Sequence, residues 1–244
     1  MNLNELEMQL ENERLKSTID IIGELIKSKN IDIDEYKSDI IKRKKFLWEQ
    51  KNEFYDGDLQ SAMNDEDFSV DLINKDIVKV YKLHRSKENP YFSRIDFEHE
   101  SEVESYYIGL TGVDKDFSPV VYDWRTPVAN LYYNYGLGES SYDTPAGVIS
   151  GNTLLKRQFE IKMGKLVNAY DSSVDSRDEL LESVLAHNTT EQMKNIVRTI
   201  QKEQNEIIRY GGSSTLVVEG VAGSGKTSVA LHRVAYLLYN QKGL

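Results

Sequence analysis

The stretch IVKVYKLHRSKENPYFSRIDF, from Ile77 to Phe97, contains the point at which the chain changes from one kind of structure to another. Before the pair Asn89-Pro90, apolar residues recur at helical spacing. After it, the run that starts at Tyr91 is rich in the aromatic and β-branched residues that favour strands. The sequence therefore predicts a helical region before residue 89 and a β-rich region after it.

Three apolar patterns in residues 1–88 predict helices that pack on one another. The first and third are stripes at helical spacing, and the second repeats by sevens in two adjacent rows, which keeps a seam of side chains facing a partner helix. Their members are, in chain order, Met8, Leu15, Ile19, Ile22 and Ile26; Ile33, Ile40, Leu47 and Phe54 beside Ile41, Trp48 and Tyr55; then Leu72, Ile73, Ile77, Val80 and Leu83.

Two polar stretches predict where these helices are interrupted. Tyr55-Asp56-Gly57-Asp58 is a turn-forming cluster that would reverse the chain, and Asn30 to Asp34 is expected to separate the first two segments. We therefore expect residues 1–88 to form an antiparallel helical coiled-coil arm, with helices of roughly 20 residues, about 30 Å long. Part of such an arm should project from the rest of the protein.

Residues 89–172 are expected to form a compact β-rich domain. Short runs rich in Tyr, Val, Ile and Phe are separated there by Gly, Asp, Ser and Pro, which is typical of strands and turns. Residues 154–170 have the pattern of a β-hairpin with Met163-Gly164-Lys165 as its turn. The other expected strands are Tyr91 to Phe97, Ser105 to Val113, Pro119 to Trp124 and Asn130 to Tyr135.

Residues 173–244 are expected to begin with linker helices. Ser176 and Thr189 each precede a Glu or Gln by three residues, which is the pattern of a helix capping box. The second of these helices should run to about Tyr210 and end at Gly211-Gly212. A β-strand over 214–218 and a helix over 225–239 should follow.

The composition excludes several kinds of site and location. The chain has no cysteine, so disulfides and thiolate metal sites are impossible, and its four histidines lie far apart without ligand spacing. No apolar run approaches the roughly 18 to 20 residues needed to span a bilayer, and residues 1–14 lack the layout of a signal peptide. The pattern indicates a cytoplasmic protein with no membrane partner.

The formal net charge of −10 bears on the choice of partner. Nucleic-acid binding usually relies on clustered Lys and Arg, whereas this chain has 40 acidic and 30 basic residues. An acidic protein suits a basic partner surface, such as the inside of a channel built to hold nucleic acid. The same charge also serves solubility, so the charge by itself leaves both interpretations open.

The stretch GVAGSGKT, Gly220 to Thr227, matches the G-x-x-x-x-G-K-[ST] pattern of a phosphate-binding loop in full. Glycines let successive backbone N–H groups converge on a phosphate, and the N-terminus of the helix that follows favours an anion. Lys226 for the phosphates of ATP and Thr227 for Mg²⁺ are the candidate catalytic residues. The predicted nucleotide-binding residues are Gln204, Gly220, Val221, Ala222, Gly223, Ser224, Gly225, Lys226, Thr227 and Ser228.

These residues carry a first resemblance to known proteins. Glu219 to Tyr239, together with the upstream Gln204, is similar to the start of the first RecA-like domain of UvrD/PcrA/Rep-type superfamily 1 helicases. The resemblance implies that the Gln204 amide contacts adenine. An amide both donates to and accepts from an adenine edge, which would select ATP over GTP.

Four stretches of the β-rich region resemble a narrower family, the HelD proteins. The resemblance implies the N-terminal part of an RNA polymerase-associated, helicase-like ATPase, with an α+β fold that ends in a truncated P-loop RecA-like domain. ATP and Mg²⁺ are the implied cofactors. The stretches are PYFSRIDF (Pro90 to Phe97), YYIGLTGV (Tyr106 to Val113), VYDWRTPVANLYYNY (Val121 to Tyr135) and LLKRQFEIKMG (Leu154 to Gly164).

The HelD resemblance also implies a partner and a role. In that family the coiled-coil arm enters the secondary channel of the bacterial RNA polymerase core, and the protein releases the polymerase from nucleic acid for reuse. DNA could be contacted through the full-length protein. The acidic residues Glu53, Asp56 and Asp58 would form the polymerase-contacting tip of the arm, although an Asp-Gly stretch is also common in simple solvated turns.

The sequence departs from the family pattern after the loop. It lacks an acidic Walker B strand, arginine fingers and a second RecA-like domain, so we expect an N-terminal fragment that binds its partner but does not hydrolyse ATP alone. Apolar residues such as Val217 and Val218 should then be exposed or lean on a partner. Asp123-Trp124-Arg125 is expected to be structural, with Trp124 in the core and an Asp–Arg ion pair.

Two other functions stay open at this point. The loop and Gln204 are equally typical of a UvrD/PcrA-type DNA translocase, and a coiled-coil adaptor with a vestigial loop is a third possibility. The N-terminal arm and the acidic charge disfavour the translocase, and the intact loop motif disfavours the adaptor.

Overall fold

The structure is a computed structural model that describes residues 3–49, 56–171, 200–212, 215–221 and 223–241. This part of the chain is an α+β arrangement in which a long helical arm precedes a mixed β-sheet and shorter helices. Within these ranges, no helix has the length and apolar character that crossing a membrane requires.

Two long helices form the arm. Helix α1 spans Glu5–Glu49 and helix α2 spans Asp56–Glu88. The two pack along each other, and Lys29 Nζ in α1 lies 3.3 Å from a carboxylate oxygen of Asp76 in α2. Because only residues 50–55 separate the two packed helices, they run antiparallel, as the sequence predicts.

The arm is longer and less interrupted than the sequence predicts. The expected break at Asn30 to Asp34 is wrong, because this stretch lies inside α1 and its Ile33 is buried. Packing outweighs the weak helix preference of Asn and Asp, which costs only a few tenths of a kcal/mol per residue. The two helices have 45 and 33 residues, about 67 and 50 Å at 1.5 Å per residue, rather than roughly 20 residues each.

The turn predicted at Asp56-Gly57-Asp58 is also wrong, because α2 begins at Asp56. Carboxylates are favoured in the first turn of a helix, where the backbone N–H groups carry partial positive charge. An Asp-rich stretch therefore suits a helix start as well as a turn. Glu53 lies outside the described residues.

The arm is anchored at one end and projects at the other. Leu15, Ile22 and Ile26 of α1 are buried in a cluster that also contains side chains of the sheet. Ile33 of α1 and Ile73 of α2 are buried too, but they lie outside that cluster. No described side chain of α1 beyond Ile33 is buried, so the distal part of the arm extends into solvent.

Seven strands form one mixed sheet in the order β3-β4-β2-β1-β6-β5, with β7 pairing the end of β6. β2 and β4 run parallel, and the other pairs are antiparallel. The strands are β1 Ser93–His99, β2 Glu102–Gly109, β3 Val113–Lys115, β4 Ser118–Asp123, β5 Gly138–Thr144, β6 Gly147–Lys162 and β7 Lys165–Asp171.

Most of the predicted strands are confirmed, and one is wrong. The β6–β7 hairpin turns at Met163 and Gly164, which both have positive φ. Residues 130–135 are not a strand: a 3-10 turn at Pro127–Ala129 leads into helix α3, Asn130–Asn134. Leu131 and the two tyrosines after it are all buried, whereas a strand would point neighbouring side chains to opposite faces. The pattern did not predict β5.

The two faces of the sheet carry different layers. On β2, Tyr107 points to the arm and its neighbours Tyr106 and Ile108 point to the opposite face, as alternation along a strand requires. The arm base covers the first face. The second face is covered by α3 and by two later helices, α4 (Lys202–Arg209) and α5 (Lys226–Gln241).

The C-terminal elements differ from prediction in two places. The helix expected to continue to Tyr210 is interrupted, because Gln201 has an extended backbone (φ −75°, ψ 160°) and caps a separate helix, α4. The strand expected over 214–218 is also wrong, since residues 215–221 form no strand. A strand needs a neighbouring strand for its ladder hydrogen bonds, and no described strand pairs with these residues. The capping boxes at 176 and 189 lie outside the described residues.

A buried carboxylate joins the arm to the sheet. Glu11 of α1 is 1% exposed and accepts hydrogen bonds from the guanidinium groups of Arg94 (2.8 Å) and Arg157 (3.0 Å) and from the Tyr107 hydroxyl (3.0 Å). Arg157 also donates to Glu7 at 2.8 Å, and this hydrogen bond lowers the pKa of the Glu7 carboxyl. The first turns of α1 are thereby tied to three strands.

Replacing Glu11 with Gln should destabilise the protein substantially, because the buried Arg157 and the partly buried Arg94 lose their shared negative charge. Breaking a buried ion pair from one side costs about 3–5 kcal/mol, which chemical denaturation would measure as a lower free energy of unfolding. Glu24→Gln is the control, since Glu24 pairs with Lys115 in an exposed bridge of 2.8 Å and should change stability little. Equal effects of the two substitutions would contradict the role given to Glu11.

Candidate functional site

The loop predicted to bind phosphate is compact and leads directly into a helix. Gly223 and Gly225 have φ values of +86° and +80°, which are left-handed conformations that favour glycine. A Cβ on Gly220 would lie only 2.7 Å from Ser224 Oγ, so the two ends of the loop approach closely. Helix α5 then begins at Lys226. The glycine spacing and the helix start agree with part of the phosphate-binding pattern, whose preceding strand is not formed by residues 215–221.

The Lys226 side chain folds back over this loop. Its Nζ donates hydrogen bonds to the carbonyl oxygens of Gly220 at 2.8 Å and Val221 at 2.7 Å. Thr227 and Ser228 follow in the first turn of α5. The Lys226 Nζ is thus held beside the loop, and Ala222 lies outside the described residues.

Gln204 lies next to the loop, although α4 and the loop are separated in sequence. A Cβ on Gly225 would lie 3.3 Å from Gln204 Nε2. The Gln204 Oε1 accepts from the backbone N–H of Gln201 at 3.3 Å, which completes a capping box at the start of α4. The structure therefore brings Gln204 and the glycine loop together, and its contact with adenine stays a prediction.

Two of the three residues predicted for the arm tip lie within the described residues, on the arm rather than at this loop. Asp56 and Asp58 lie in the first turn of α2. The loop is on the opposite side of the sheet from the arm base, because α4 and α5 cover the second face. The chain thus carries two separate candidate regions, one on the arm and one at the loop.

Sequence reasoning missed a set of contacts that hold α4 against the sheet. The Arg209 guanidinium donates to the carbonyl oxygens of Trp124 at 2.6 Å and of Arg125 and Thr126 at 3.2 Å each. Because these acceptors are neutral, burial lowers the pKa of Arg209. Asn205, adjacent to Gln204, is fully buried and so lies on the packed side of the helix. The sequence signal for these contacts was the polar pair Asn205 and Arg209, which are four residues apart and so lie on one face of a helix.

Helix α5 is held by the same part of the β-region. The Trp124 ring meets the His232 ring edge-on, with 5.6 Å between centroids, and the Arg125 guanidinium lies 4.4 Å from the centre of the Tyr239 ring. Arg125 also forms a two-pronged ion pair with Asp123, at 2.7 and 2.6 Å. Trp124 is 5% exposed, which agrees with the structural role expected for these residues.

Comparison with known proteins identifies the family. A family model described as "DNA helicase IV HelD, N-terminal domain" matches residues 8–204, well over half of the chain. The chain belongs to the HelD family. The matched region contains most of the arm, the whole sheet and Gln204, and it ends before the glycine loop. A search among curated proteins finds no match.

The family match covers most of the elements described above. It contains nearly all of the helical arm, the whole mixed sheet and the first residues of α4, up to Gln204. The family description places the chain among helicase-type proteins. The glycine loop adds an element that the family match does not cover, at residues 220–227.

Replacing Asn205 with Leu should loosen α4. The Asn205 Nδ2 donates to the Oδ1 atoms of Asn130 (2.9 Å) and Asn134 (2.8 Å), and its Oδ1 accepts from Arg209. Leaving buried polar groups without partners costs about 1–3 kcal/mol. Denaturation should show this loss, and hydrogen exchange should rise over 202–209. The neighbouring exposed substitution Glu206→Gln should change neither, and similar exchange in the two variants would contradict this assignment.

Proposed function

We propose that this protein is a HelD-type ATP-dependent factor that binds the bacterial RNA polymerase core through its helical arm. The arm enters the secondary channel, and the protein helps to release the polymerase from nucleic acid so that it is reused. We place this activity in the cytoplasm, which is where the polymerase is. We also propose three functional parts: the arm (1–88), the β-rich domain (89–172) and the start of a RecA-like ATPase domain (173–244).

The projecting arm is the observation that carries the proposal. Beyond Ile33 the first helix continues to Glu49, for about 24 Å, with no buried side chain among those described. Large apolar side chains are exposed there, including Ile41 (69%) and Trp48 (76%). Exposed aromatic surface of this kind is typical of protein–protein contact.

The charge of the distal arm is divided between its two helices. Residues 42–45 of α1 are Lys-Arg-Lys-Lys, and residues 56–71 of α2 contain acidic but no basic side chains. Such an arm suits a partner surface with both signs of charge better than the uniformly negative backbone of DNA. This observation favours the polymerase over a direct DNA partner, as does the net charge of −10.

The glycine loop supports the proposal that ATP is the cofactor. Its residues fit a phosphate group: two glycines hold left-handed conformations, and Lys226 keeps a cation over the loop. Lys226 and the loop N–H groups would hold the phosphates of ATP, Thr227 would hold Mg²⁺, and Gln204 would contact adenine. Bound ATP supplies the free energy of its phosphoanhydride bonds.

Apolar surface on α5 fits a larger ATPase domain. Leu231, Val234 and Leu238 lie on one stripe of the helix and are 54–55% exposed, and Val217 before the loop is 77% exposed. In α/β domains, strands of a parallel sheet cover such a helix face. We propose that strands of a RecA-like domain cover this surface, as the resemblance implies.

Shortening the arm should abolish polymerase binding without unfolding the protein. Removing all of residues 1–88 would also remove Leu15 and Ile22 from the core, so the informative variant replaces residues 37–69 with a short Gly-Ser linker and keeps the Lys29–Asp76 bridge. Loss of binding to core polymerase in a pull-down, with unchanged unfolding of the sheet, is the expected result.

Charge substitutions at the start of α2 test the proposed contact of the arm tip with the polymerase separately. Asp56→Asn combined with Asp58→Asn should weaken inhibition of the polymerase while leaving the fold intact.

For the arm-shortened protein, full binding to the polymerase would contradict the proposed docking mode. Tight binding of duplex DNA instead would favour the translocase function.

Gly225→Ala should weaken ATP binding at least tenfold. A Cβ at that position is strained at φ +80° and approaches Gln204 Nε2 to 3.3 Å, which disturbs both the phosphate loop and the proposed adenine contact. Titration with a fluorescent ATP analogue measures the affinity. Gly211→Ala is the matched control, since a Cβ there meets nothing within 4 Å, and it should bind like the unaltered protein.

Lys226→Ala should abolish ATP turnover in the full-length enzyme, because the only cation held over the loop by the described contacts is lost. Release of phosphate measures this activity. Turnover at the unaltered rate would refute the role of Lys226.

A further inference from the structure

One segment of the β-rich region contacts both helices that carry the proposed nucleotide site. It runs from Asp123, at the end of β4, to Asn134, at the end of α3, and we refer to it as the 123–134 segment. The sequence motifs for ATP binding lie elsewhere, at Gln204 and at residues 220–227. The position of this segment nevertheless connects those two motifs.

The first connection fixes helix α4. Arg209 donates to three successive carbonyl groups of the segment, those of residues 124, 125 and 126. One turn earlier on the same side of α4, Asn205 donates to Asn130 and Asn134. Two anchors on one face of α4 set the rotation of this helix about its axis and its position along the 123–134 segment. Gln204 is adjacent to one of these anchors, Asn205.

The second connection fixes helix α5. The His232 Nδ1 lies 2.6 Å from the carbonyl oxygen of Ser228, in the turn that follows the glycine loop. The ring of the same histidine packs against Trp124 of the segment. Near the other end of α5, the Tyr239 ring lies under the Arg125 guanidinium. The segment therefore contacts α5 at His232, about two turns after the loop, and again at Tyr239, about two turns further on.

The segment itself is internally braced. The Asp123 carboxylate accepts from the Arg125 backbone N–H at 2.9 Å and from its guanidinium at 2.7 and 2.6 Å. The Thr126 hydroxyl donates to the Asp123 carbonyl oxygen at 2.7 Å. Because these bonds close a tight turn directly after β4, both helices are held against the same short, stiff piece of backbone.

We propose that the 123–134 segment is the positioning element of the nucleotide site, which sets the distance between Gln204 and the glycine loop. Trp124 and Arg125 of the segment are positioning residues that act through their contacts with α5, and Arg209 is the positioning residue that ties α4 to the segment. The inference rests on the proposed ATP site. The close approach of Gln204 to Gly225 shows how small a shift of either helix would alter that distance.

The chain offers a matched pair of variants to test this. Arg125 and Arg94 each form a two-pronged ion pair with an Asp two residues away, and their side chains are 22% and 24% exposed. Arg125 faces α5, whereas Arg94 faces the arm through Glu11. Arg→Lys at either site keeps the charge and removes the planar fork.

Arg125→Lys in the full-length enzyme should raise the KM for ATP about fivefold, the scale of one lost cation–π contact, while kcat stays within about twofold. Preference for ATP over GTP should fall as well, since a displaced Gln204 reads adenine less well. Arg94→Lys should lower the free energy of unfolding but leave the KM and the nucleotide preference unchanged. If Arg125→Lys raised the KM only by destabilising the protein, Arg94→Lys would raise the KM as well.

A second variant tests the contact independently. Tyr239→Leu removes the ring under Arg125 from a partly exposed position, so it should raise the KM to a similar extent. The double variant with Arg125→Lys should add little, because both changes break one contact.

The outcomes separate two kinds of failure. Unchanged KM and ATP/GTP preference in Arg125→Lys, or an equal rise in Arg94→Lys, would overturn the positioning role while the ATP site stands. Absence of ATP binding and turnover in the unaltered enzyme would overturn the proposed ATP function and this inference with it.

Discussion

The architecture depends on one buried charge, the carboxylate of Glu11. It lies between Arg94 and Arg157 and also accepts from the Tyr107 hydroxyl. A buried carboxylate is tolerated only when its charge and hydrogen bonds are satisfied, so the first turns of the arm have one favourable position on the sheet. A helix of 45 residues holds its distal end in a defined position only if its base is fixed to the sheet in this way.

The sheet separates the two regions on which function is proposed to depend. Its arm-facing side carries the polar network and the apolar side chains that receive α1, and its opposite side carries the 123–134 segment with α4 and α5. Residues that alternate along single strands, such as Tyr106 and Tyr107, belong to different cores. The arm and the helices of the loop region therefore pack on opposite faces of the same sheet.

Errors in the sequence-based predictions share a cause. Asn30 to Asp34 has weak helix propensity and 130–135 has strong strand propensity, yet the first is helical and the second forms α3 after a short 3-10 turn. In both places burial against a distant part of the chain outweighed local preferences of less than about 1 kcal/mol per residue. The contacts of Arg209 with residues 124–126 are equally long-range: the spacing of Asn205 and Arg209 indicates a polar helix face but not the partner of that face.

By itself, the sequence determined the helical arm, the β-rich middle and the glycine loop, because heptad spacing, strand-forming runs and glycine placement are local properties of a few neighbouring residues. Tertiary structure alone decided how far the arm extends, that Gln204 lies beside Gly225, and that one braced segment holds both α4 and α5. The hold on α4 depends on residues that meet across more than 70 positions of chain, as Asn205 meets Asn130. Packing and satisfied hydrogen bonds decide which distant residues are in contact, and these depend on the fold of the whole chain.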